Sequence, residues 1–80
     1  MTKIIIRMTN TSDKSVNVVL EPLVHIFPVL PSSAIEVHVD EAKLNQPIEI
    51  EYAAGEIVVY AGGILSAWVN GNELEPRFRK

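Results

Sequence analysis

Apolar and polar residues alternate along most of this chain, and almost no stretch carries the period of an amphipathic helix. The alternation runs through KIIIRM, SVNVVLE, SAIEVHVD and PIEIEY, each of which places aliphatic side chains on one side and mostly polar ones on the other. Such runs are typical of half-buried β-strands. The only helix candidate is DEAKL, residues 40–44, which is long enough for one turn. The pattern therefore predicts an all-β chain.

Turn-forming residues separate these strands at short intervals. The segment NTSDK, residues 10–14, collects side chains that bond their own backbone. Gly62–Gly63 and Asn70–Gly71 are pairs typical of two-residue hairpins, in which both central residues take positive φ. Short strands at this spacing are typical of small sandwiches and barrels. We predict a small antiparallel β-sandwich, or a partly open barrel, of six to seven strands.

The length of 80 residues suits a single domain. No repeat, low-complexity tract or linker divides it, so we predict one β domain over residues 1–80, with an ordered core over about 3–75 and a loose tail over 76–80. A chain of this size buries only about 60% of its unfolded surface, so its core is thin. Without cysteine, disulfides cannot reinforce that core. Strand packing and self-association are the expected supports.

Charge and hydropathy exclude several classes of function. The net charge of −3 argues against nucleic acid as a partner, because phosphate binding needs a basic surface. No stretch approaches the roughly 20 apolar residues of a membrane-spanning helix. The first ten residues hold only a short apolar run, unlike the apolar segment of a signal peptide. We expect a cytoplasmic protein with no cofactor.

The hairpin turns also predict which side chains face solvent, because a two-residue turn fixes strand register. A hairpin at Gly62–Gly63 places Tyr60 opposite Leu65, and one at Asn70–Gly71 places Trp68 opposite Glu73. One face of the resulting meander lacks carboxylates and is predicted to face the core; it carries Val58, Tyr60, Leu65, Ala67, Val69 and Leu74. Adding Ile50 and Tyr52 to this face requires an odd-numbered loop around Ala54–Gly55.

The opposite face is the predicted functional surface. Exposed apolar patches with aromatic anchors mark binding surfaces, and Trp68 is the only tryptophan in the chain. Either the tail or a neighbouring strand covers Trp68, or the face is an interface with a second copy or with another protein. The residues assigned to the interface are Trp68, Ile57, Val59, Ile64, Ser66, Glu49, Glu51, Glu73 and Glu75.

These features predict a non-catalytic interaction module that self-associates through the face carrying Trp68. The alternative is a domain that binds a different protein or a small ligand through the same patch. A metal-dependent or hydrolytic enzyme is the third possibility. One tryptophan gives an unambiguous fluorescence signal for distinguishing them.

The chemistry-bearing residues do not form a recognisable catalytic or metal site. Glu36, His38 and Asp40 share one strand face, but residues two apart on a strand are separated by roughly 7 Å, too far to converge on one ion unaided. Ser32 and Ser33 lack the setting of an activated nucleophile. A solvated polar face accounts for these residues, so no enzyme activity and no metal site are predicted.

The stretch VLEPLVHIFPVLP, residues 19–31, combines aliphatic residues with three prolines. Proline cannot donate to a sheet ladder, so Pro22, Pro28 and Pro31 favour an edge strand or a strand-like crossing. No partner residues support Glu21 and His25 as a site. The stretch is interpreted as architecture that closes one end of the core.

The order of these features resembles a group of small bacterial β-domain proteins. The shared elements are an early apolar strand, a polar Asn/Asp turn, a strand ending in LEP (VNVVLEP, residues 16–22), an aromatic residue and a Pro-led turn before SAIEVHV. The resemblance covers roughly residues 4–70. Leu23–Val24 and Pro31–Ser32 stand where those proteins carry Trp–Gly and Pro–Gly. The group has no assigned activity, so the resemblance implies the fold alone.

Overall fold

The computed structural model of the chain describes residues 2–75. These residues form eight strands, which confirms the all-β prediction but exceeds the six to seven strands expected. A single 3-10 turn, Glu41–Lys43, follows the fourth strand. No helix in the described part of the chain is long and apolar enough to cross a membrane. The strands are β1 (Lys3–Thr9), β2 (Val16–Glu21), β3 (His25–Val29), β4 (Ala34–Asp40), β5 (Glu49–Ala53), β6 (Glu56–Tyr60), β7 (Ile64–Val69) and β8 (Asn72–Glu73).

The eight strands form two sheets of four. Sheet A has the order β1-β4-β7-β8, and sheet B has the order β3-β2-β6-β5. Neighbouring strands are antiparallel, except that β2 and β6 run parallel. Each sheet has two edge strands, so the partly open barrel does not form.

The core lies between the two sheets and consists mainly of β-branched side chains, which pack well on a pleated surface. In β4 the alternation is confirmed, because Ile35, Val37 and Val39 are wholly buried. Sheet A also contributes Ala67. Sheet B contributes Val18, Leu20, Phe27, Val29, Val59 and Ala61.

Gly62–Gly63 carries the chain from one sheet to the other, so the predicted hairpin at this position is wrong. β6 belongs to sheet B and β7 to sheet A. The amide of Asp40 donates to the carbonyl of Gly63 at 2.8 Å, and a Cβ at Gly63 would lie 2.7 Å from the Cβ of Lys43. Glycine is therefore required at residue 63 for close packing against the end of β4.

Because β6 and β7 do not form a hairpin, the side chains of β6 point in the directions opposite to those predicted. Ile57 and Val59 pair with core residues of β2 and pack toward the core, whereas Val58 and Tyr60 lie on the outer side of sheet B. The predicted core positions of Val58 and Tyr60 are therefore wrong. A shift of one residue in register moves every side chain of a strand to the other face.

The predicted faces of β7 hold only beyond a bulge. The register shifts between His38 and Val39, so that Ile64 pairs with Val39 and packs toward the core. Leu65 becomes the extra residue and is exposed, contrary to its predicted core position. Past the bulge, the predicted hairpin at Asn70–Gly71 forms with Trp68 opposite Glu73. Ala67, Val69 and Leu74 pack toward the core as expected.

β5 and β6 form a hairpin with a two-residue turn, not the odd-numbered loop expected. Ala53 pairs with Glu56, and Ala54 and Gly55 have φ of 50° and 78°. Both values lie in the left-handed region that a type I′ turn requires. As a result Ile50 and Tyr52 lie on the core side of sheet B, but at its edge, where 52% and 69% of their surfaces remain exposed.

Asn10 ties the end of β1 to the ends of two other strands. Its side-chain amide donates to the carbonyls of Val29 and Lys14 at 2.9 and 2.7 Å, and its Oδ1 accepts from the amide of Ser12 at 3.0 Å. Its main-chain amide donates to the carbonyl of Ser33 at 2.8 Å. The polar turn expected at residues 10–14 is thus confirmed, and it places the end of β1 beside the end of β3.

The proline-rich stretch supplies an edge strand, as predicted. β3 lies at the edge of sheet B, where among the described strands it pairs only with β2, and Pro28 is the fourth of its five residues. On the corresponding side of sheet A, the edge strand β8 is two residues long. A groove lined by Phe27 and Leu74 separates the two. The predicted tail over 76–80 falls outside the described residues.

Candidate functional site

Trp68 lies on the outer side of sheet A, among side chains of all four strands. In register, Ile5 pairs with His38, which pairs with Ser66. Two residues further along β1, Arg7 pairs with Glu36, which pairs with Trp68, and Trp68 pairs with Glu73. The Trp68 face is defined by these outward residues: Ile5, Arg7, Glu36, His38, Ser66, Trp68 and Glu73.

The centre of the Trp68 face is a stacked pair of rings. The imidazole of His38 and the indole of Trp68 have centroids 5.5 Å apart and planes inclined by 18°. The indole Nε1 donates to Oγ of Ser66 at 2.7 Å, which fixes the orientation of the ring. Trp68 is consequently half-buried by residues of its own sheet. One possibility raised by the sequence was that a neighbouring strand covers Trp68. His38 of β4 does cover one side of the indole.

Charged groups border the stacked rings. Arg7 forms an ion pair with Glu36 at 3.0 Å, with both side chains in contact with solvent. The other carboxylate oxygen of Glu36 lies 3.6 Å from Nε2 of His38, beyond hydrogen-bond distance. That buried nitrogen has no hydrogen-bond partner among residues 2–75. The imidazole is therefore held by packing.

Ile5 adds exposed apolar surface to the Trp68 face, although it was not among the residues predicted for the interface. It stands on β1 beside His38, with 51% of its surface exposed. The alternation of KIIIRM places Ile5 on the same side as Lys3 and Arg7, so the signal for an exposed isoleucine was present. Ile5 and the half-buried Trp68 are thus apolar groups on one sheet face.

The structure separates the nine residues that the sequence assigned to one interface. Ser66, Trp68 and Glu73 do share the Trp68 face. Ile57, Val59 and Ile64 face the core instead, and Val59 is fully buried. Glu49 and Glu51 lie on the outer side of sheet B, because β5 pairs with β6 in the other layer. Glu75 is exposed just after β8.

The outer side of sheet B carries a carboxylate cluster around Tyr60. The hydroxyl of Tyr60 donates to Glu51 at 3.4 Å. The negative charge of Glu51 raises the pKa of Tyr60 above its ordinary value of 10.0, with smaller contributions from desolvation and from Glu21 and Glu49. A phenol with a raised pKa stays protonated at neutral pH, so this cluster offers a hydrogen-bond donor and negative charge.

Within residues 2–75, no three histidine or carboxylate side chains converge in a way that could hold a metal ion. Glu36 and His38 share the outer side of β4, as predicted. The carboxylate of Asp40 instead accepts from the amide of Ala42 at 3.0 Å and so caps the 3-10 turn.

No family model matches this chain, and neither does any curated protein or solved structure. The resemblance based on VNVVLEP and the following Pro-led turn therefore stays a prediction.

Proposed function

We propose that this chain is a non-catalytic interaction module that self-associates through the Trp68 face. The observation that carries the proposal is the half-exposed Ile5 beside the His38–Trp68 stack. An aliphatic side chain next to an aromatic one gives an apolar centre, and such centres dominate the energy of protein interfaces. Burial of Ile5 against a partner would remove the largest aliphatic exposure on this face.

The charges of the Trp68 face favour a second copy as the partner. Basic residues Lys3 and Arg7 lie on β1 at one edge of sheet A, and the carboxylate Glu73 lies on β8 at the other edge. A two-fold axis that runs parallel to the strands, midway between two facing copies of sheet A, places the β1 side of one copy over the β8 side of the other. Ile5 then meets Trp68 of the second copy, while Arg7 approaches its Glu73. An isologous contact of this kind is self-complementary.

Sedimentation velocity of matched variants tests this proposal. Trp68→Ala removes the aromatic centre, and Glu73→Lys places like charges opposite Arg7; both are expected to shift the protein toward smaller species. Leu30→Ala and Glu41→Lys change exposed residues away from the face, so they serve as controls that sediment like the unmodified chain.

The hetero-partner alternative is distinguished by the same experiment. If both Trp68→Ala and Glu73→Lys associate as strongly as the unmodified protein, contact between copies through this face is refuted. If the unmodified chain is a monomer at every concentration, self-association as such is refuted, and the Trp68 face is left for a different protein.

A further inference from the structure

Two of the four sheet edges are long and contain no proline. β1 has seven residues and β5 has five, and within residues 2–75 no strand pairs with their outer sides. The other two edges are protected, by Pro28 in β3 and by the shortness of β8. An unpaired edge presents a row of backbone donors and acceptors that can pair with another strand. β1 and β5 are therefore the edges open to strand addition.

β1 and β5 lie on the same side of the molecule and run in the same direction. Phe27 on β3 and Leu74 just after β8 line one groove, which places β3 and β8 on one side of the sandwich and leaves β1 and β5 on the other. Met8 on β1 and Tyr52 on β5 are among the residues that line a second groove, at the end of the sandwich where both strands finish. Because Asn10 bonds the carbonyl of Val29, the ends of β1 and β3 coincide, so these strands run the same way. β3 is antiparallel to β2, β2 is parallel to β6, and β6 is antiparallel to β5. It follows that β5 shares the direction of β3 and hence of β1.

We propose that β1 of one copy pairs in parallel with β5 of a second copy, and that β5 of the first pairs with β1 of the second. A two-fold axis parallel to the strands, placed beside this side of the molecule, exchanges the two layers and preserves strand direction. Sheet A of one copy then continues into sheet B of the other. Both open edges close at once, and among the described strands the protected β3 and β8 remain as edges.

The side chains match in this arrangement. Because the rotation preserves height along the strands, Tyr52 of the second copy lies beside Met8, and its Ile50 lies beside Ile6. Ile50 and Tyr52 are exposed by 52% and 69% in the single chain, although they point to the core side. Pairing covers both with half-buried aliphatic residues of β1.

The charges match as well. On the outer side, Glu51 of the second copy lies beside Arg7, and its Glu49 lies diagonally between Lys3 and Arg7. Opposite charges on neighbouring strands stabilise pairing, and like charges destabilise it. Pairing β5 with β5 would instead set Glu49 and Glu51 against the same residues of the other copy. The combination of basic β1 and acidic β5 therefore selects the crossed arrangement.

This contact goes beyond the proposed association through the Trp68 face and does not depend on it. The edge contact uses β5, which contributes nothing to the Trp68 face. The edge pairing is therefore tested in a Trp68→Ala background, where the face contact is removed. If the face contact is absent, Trp68→Ala and Glu73→Lys leave association unchanged. If the edge contact is absent, the Ile5 and Glu49 cysteine pair forms no cross-linked dimer and Glu51→Lys has no specific effect.

Disulfide trapping tests the pairing directly, because the chain contains no cysteine. In the Trp68→Ala background, Ile5→Cys and Glu49→Cys are combined in one chain. Within a copy these residues lie on opposite outer sides of the two layers, about 10 Å or more apart, so they cannot bridge internally. Between copies they lie on adjacent strands about 4.8 Å apart, within the range of a disulfide. The expected product is a dimer with two cross-links.

Two controls define the outcome. Ile5→Cys alone tests for cross-linking between two copies of β1, and Ile5→Cys with Asn17→Cys moves the second cysteine to β2, two strands from the β5 edge. Neither is expected to form the cross-linked dimer. If the Ile5 and Glu49 pair yields no more dimer than these controls, the edge pairing is wrong.

Charge reversal gives an independent measure that leaves the fold unchanged, since Glu51 is exposed. Glu51→Lys places a cation beside Arg7 of the partner and is expected to raise the dimer dissociation constant about tenfold. Glu41→Lys changes net charge equally and is expected to leave the constant unchanged. Equal effects of the two substitutions would overturn the proposed pairing and leave only a general charge effect.

Discussion

The imidazole of His38 lies flat against the indole of Trp68, with ring centroids 5.5 Å apart. The contact joins β4 to β7 on the outer side of sheet A and shields one side of the only tryptophan. Nε2 of His38 is buried and has no hydrogen-bond partner in the described part of the chain, although Glu36 lies 3.6 Å away. His38 therefore contributes through packing, and its buried nitrogen carries a desolvation penalty.

This relationship predicts opposite results for two substitutions of His38. His38→Phe keeps a ring against Trp68 and removes the unpaired nitrogen, so the free energy of unfolding is expected to be unchanged or higher. His38→Ala loses the stacked ring and is expected to lower it by about 1–3 kcal/mol. Urea unfolding at one fixed protein concentration, followed by Trp68 fluorescence, measures both. Equal losses in the two variants would mean that the nitrogen is hydrogen-bonded in solution.

Asn10 is expected to be the most sensitive polar residue of the fold. Asn10→Ala removes the amide donor from the carbonyls of Val29 and Lys14, of which only Lys14 keeps a second side-chain donor, the hydroxyl of Ser12. The free energy of unfolding is expected to fall by about 2–4 kcal/mol. Asn10→Asp keeps the acceptor for Ser12 but not the two donors, so a similar loss follows. Asn45→Ala, at an exposed position, is the control and should stay within about 0.5 kcal/mol. If thermal unfolding shows the same loss of stability in Asn45→Ala and Asn10→Ala, the side-chain hydrogen bonds of Asn10 do not stabilise the fold.

Alanine substitutions at Gly63 and Gly71 distinguish the cost of backbone strain from the cost of a steric clash. Both have φ in the left-handed region, at 75° and 79°. A Cβ at Gly71 meets nothing within 4 Å, whereas at Gly63 it would lie 2.9 Å from the carbonyl oxygen of Asp40. Gly71→Ala should therefore cost about 1 kcal/mol from strain alone, and Gly63→Ala should cost about 3 kcal/mol or more. Equal costs in denaturant unfolding would show that the chain crosses between the sheets in a looser way.

The titration of Tyr60 reports the carboxylates of sheet B. Glu51 disfavours the phenolate, so Glu51→Gln is expected to lower the pKa of Tyr60 toward 10.0. The ultraviolet absorbance of tyrosinate measures it, in a Tyr52→Phe background that leaves one tyrosine to titrate. Glu41→Gln is the matched control. An unchanged pKa in Glu51→Gln would place the two side chains apart.

The sequence predicted those parts of the fold that local physics determines. Alternation located β4 and its buried side, and Asn70–Gly71 formed the expected hairpin because the flanking strands are neighbours in one sheet. Gly62–Gly63 has an equally strong hairpin signal, yet it crosses between sheets because Gly63 packs against Asp40 and Lys43. That contact, like the parallel pairing of β2 with β6, is set by the tertiary structure and leaves no periodic signal.

The same cause limited the prediction of the site. Trp68 and Glu73 were placed together correctly, since their register depends only on the Asn70–Gly71 turn. Ile57 and Val59 were assigned to the wrong side of β6 because the hairpin at Gly62–Gly63 does not form. Glu49 and Glu51 do face outward as predicted, but on sheet B and not beside Trp68. Ile5 was missed because nothing local brings β1 beside β4.

Sedimentation equilibrium of the full chain at micromolar concentration tests most directly whether this protein self-associates. We expect a mass of at least twice the 8.9 kDa of one chain, decreasing on dilution and decreasing further in Trp68→Ala and in Glu51→Lys. A mass of 8.9 kDa at all concentrations would contradict it.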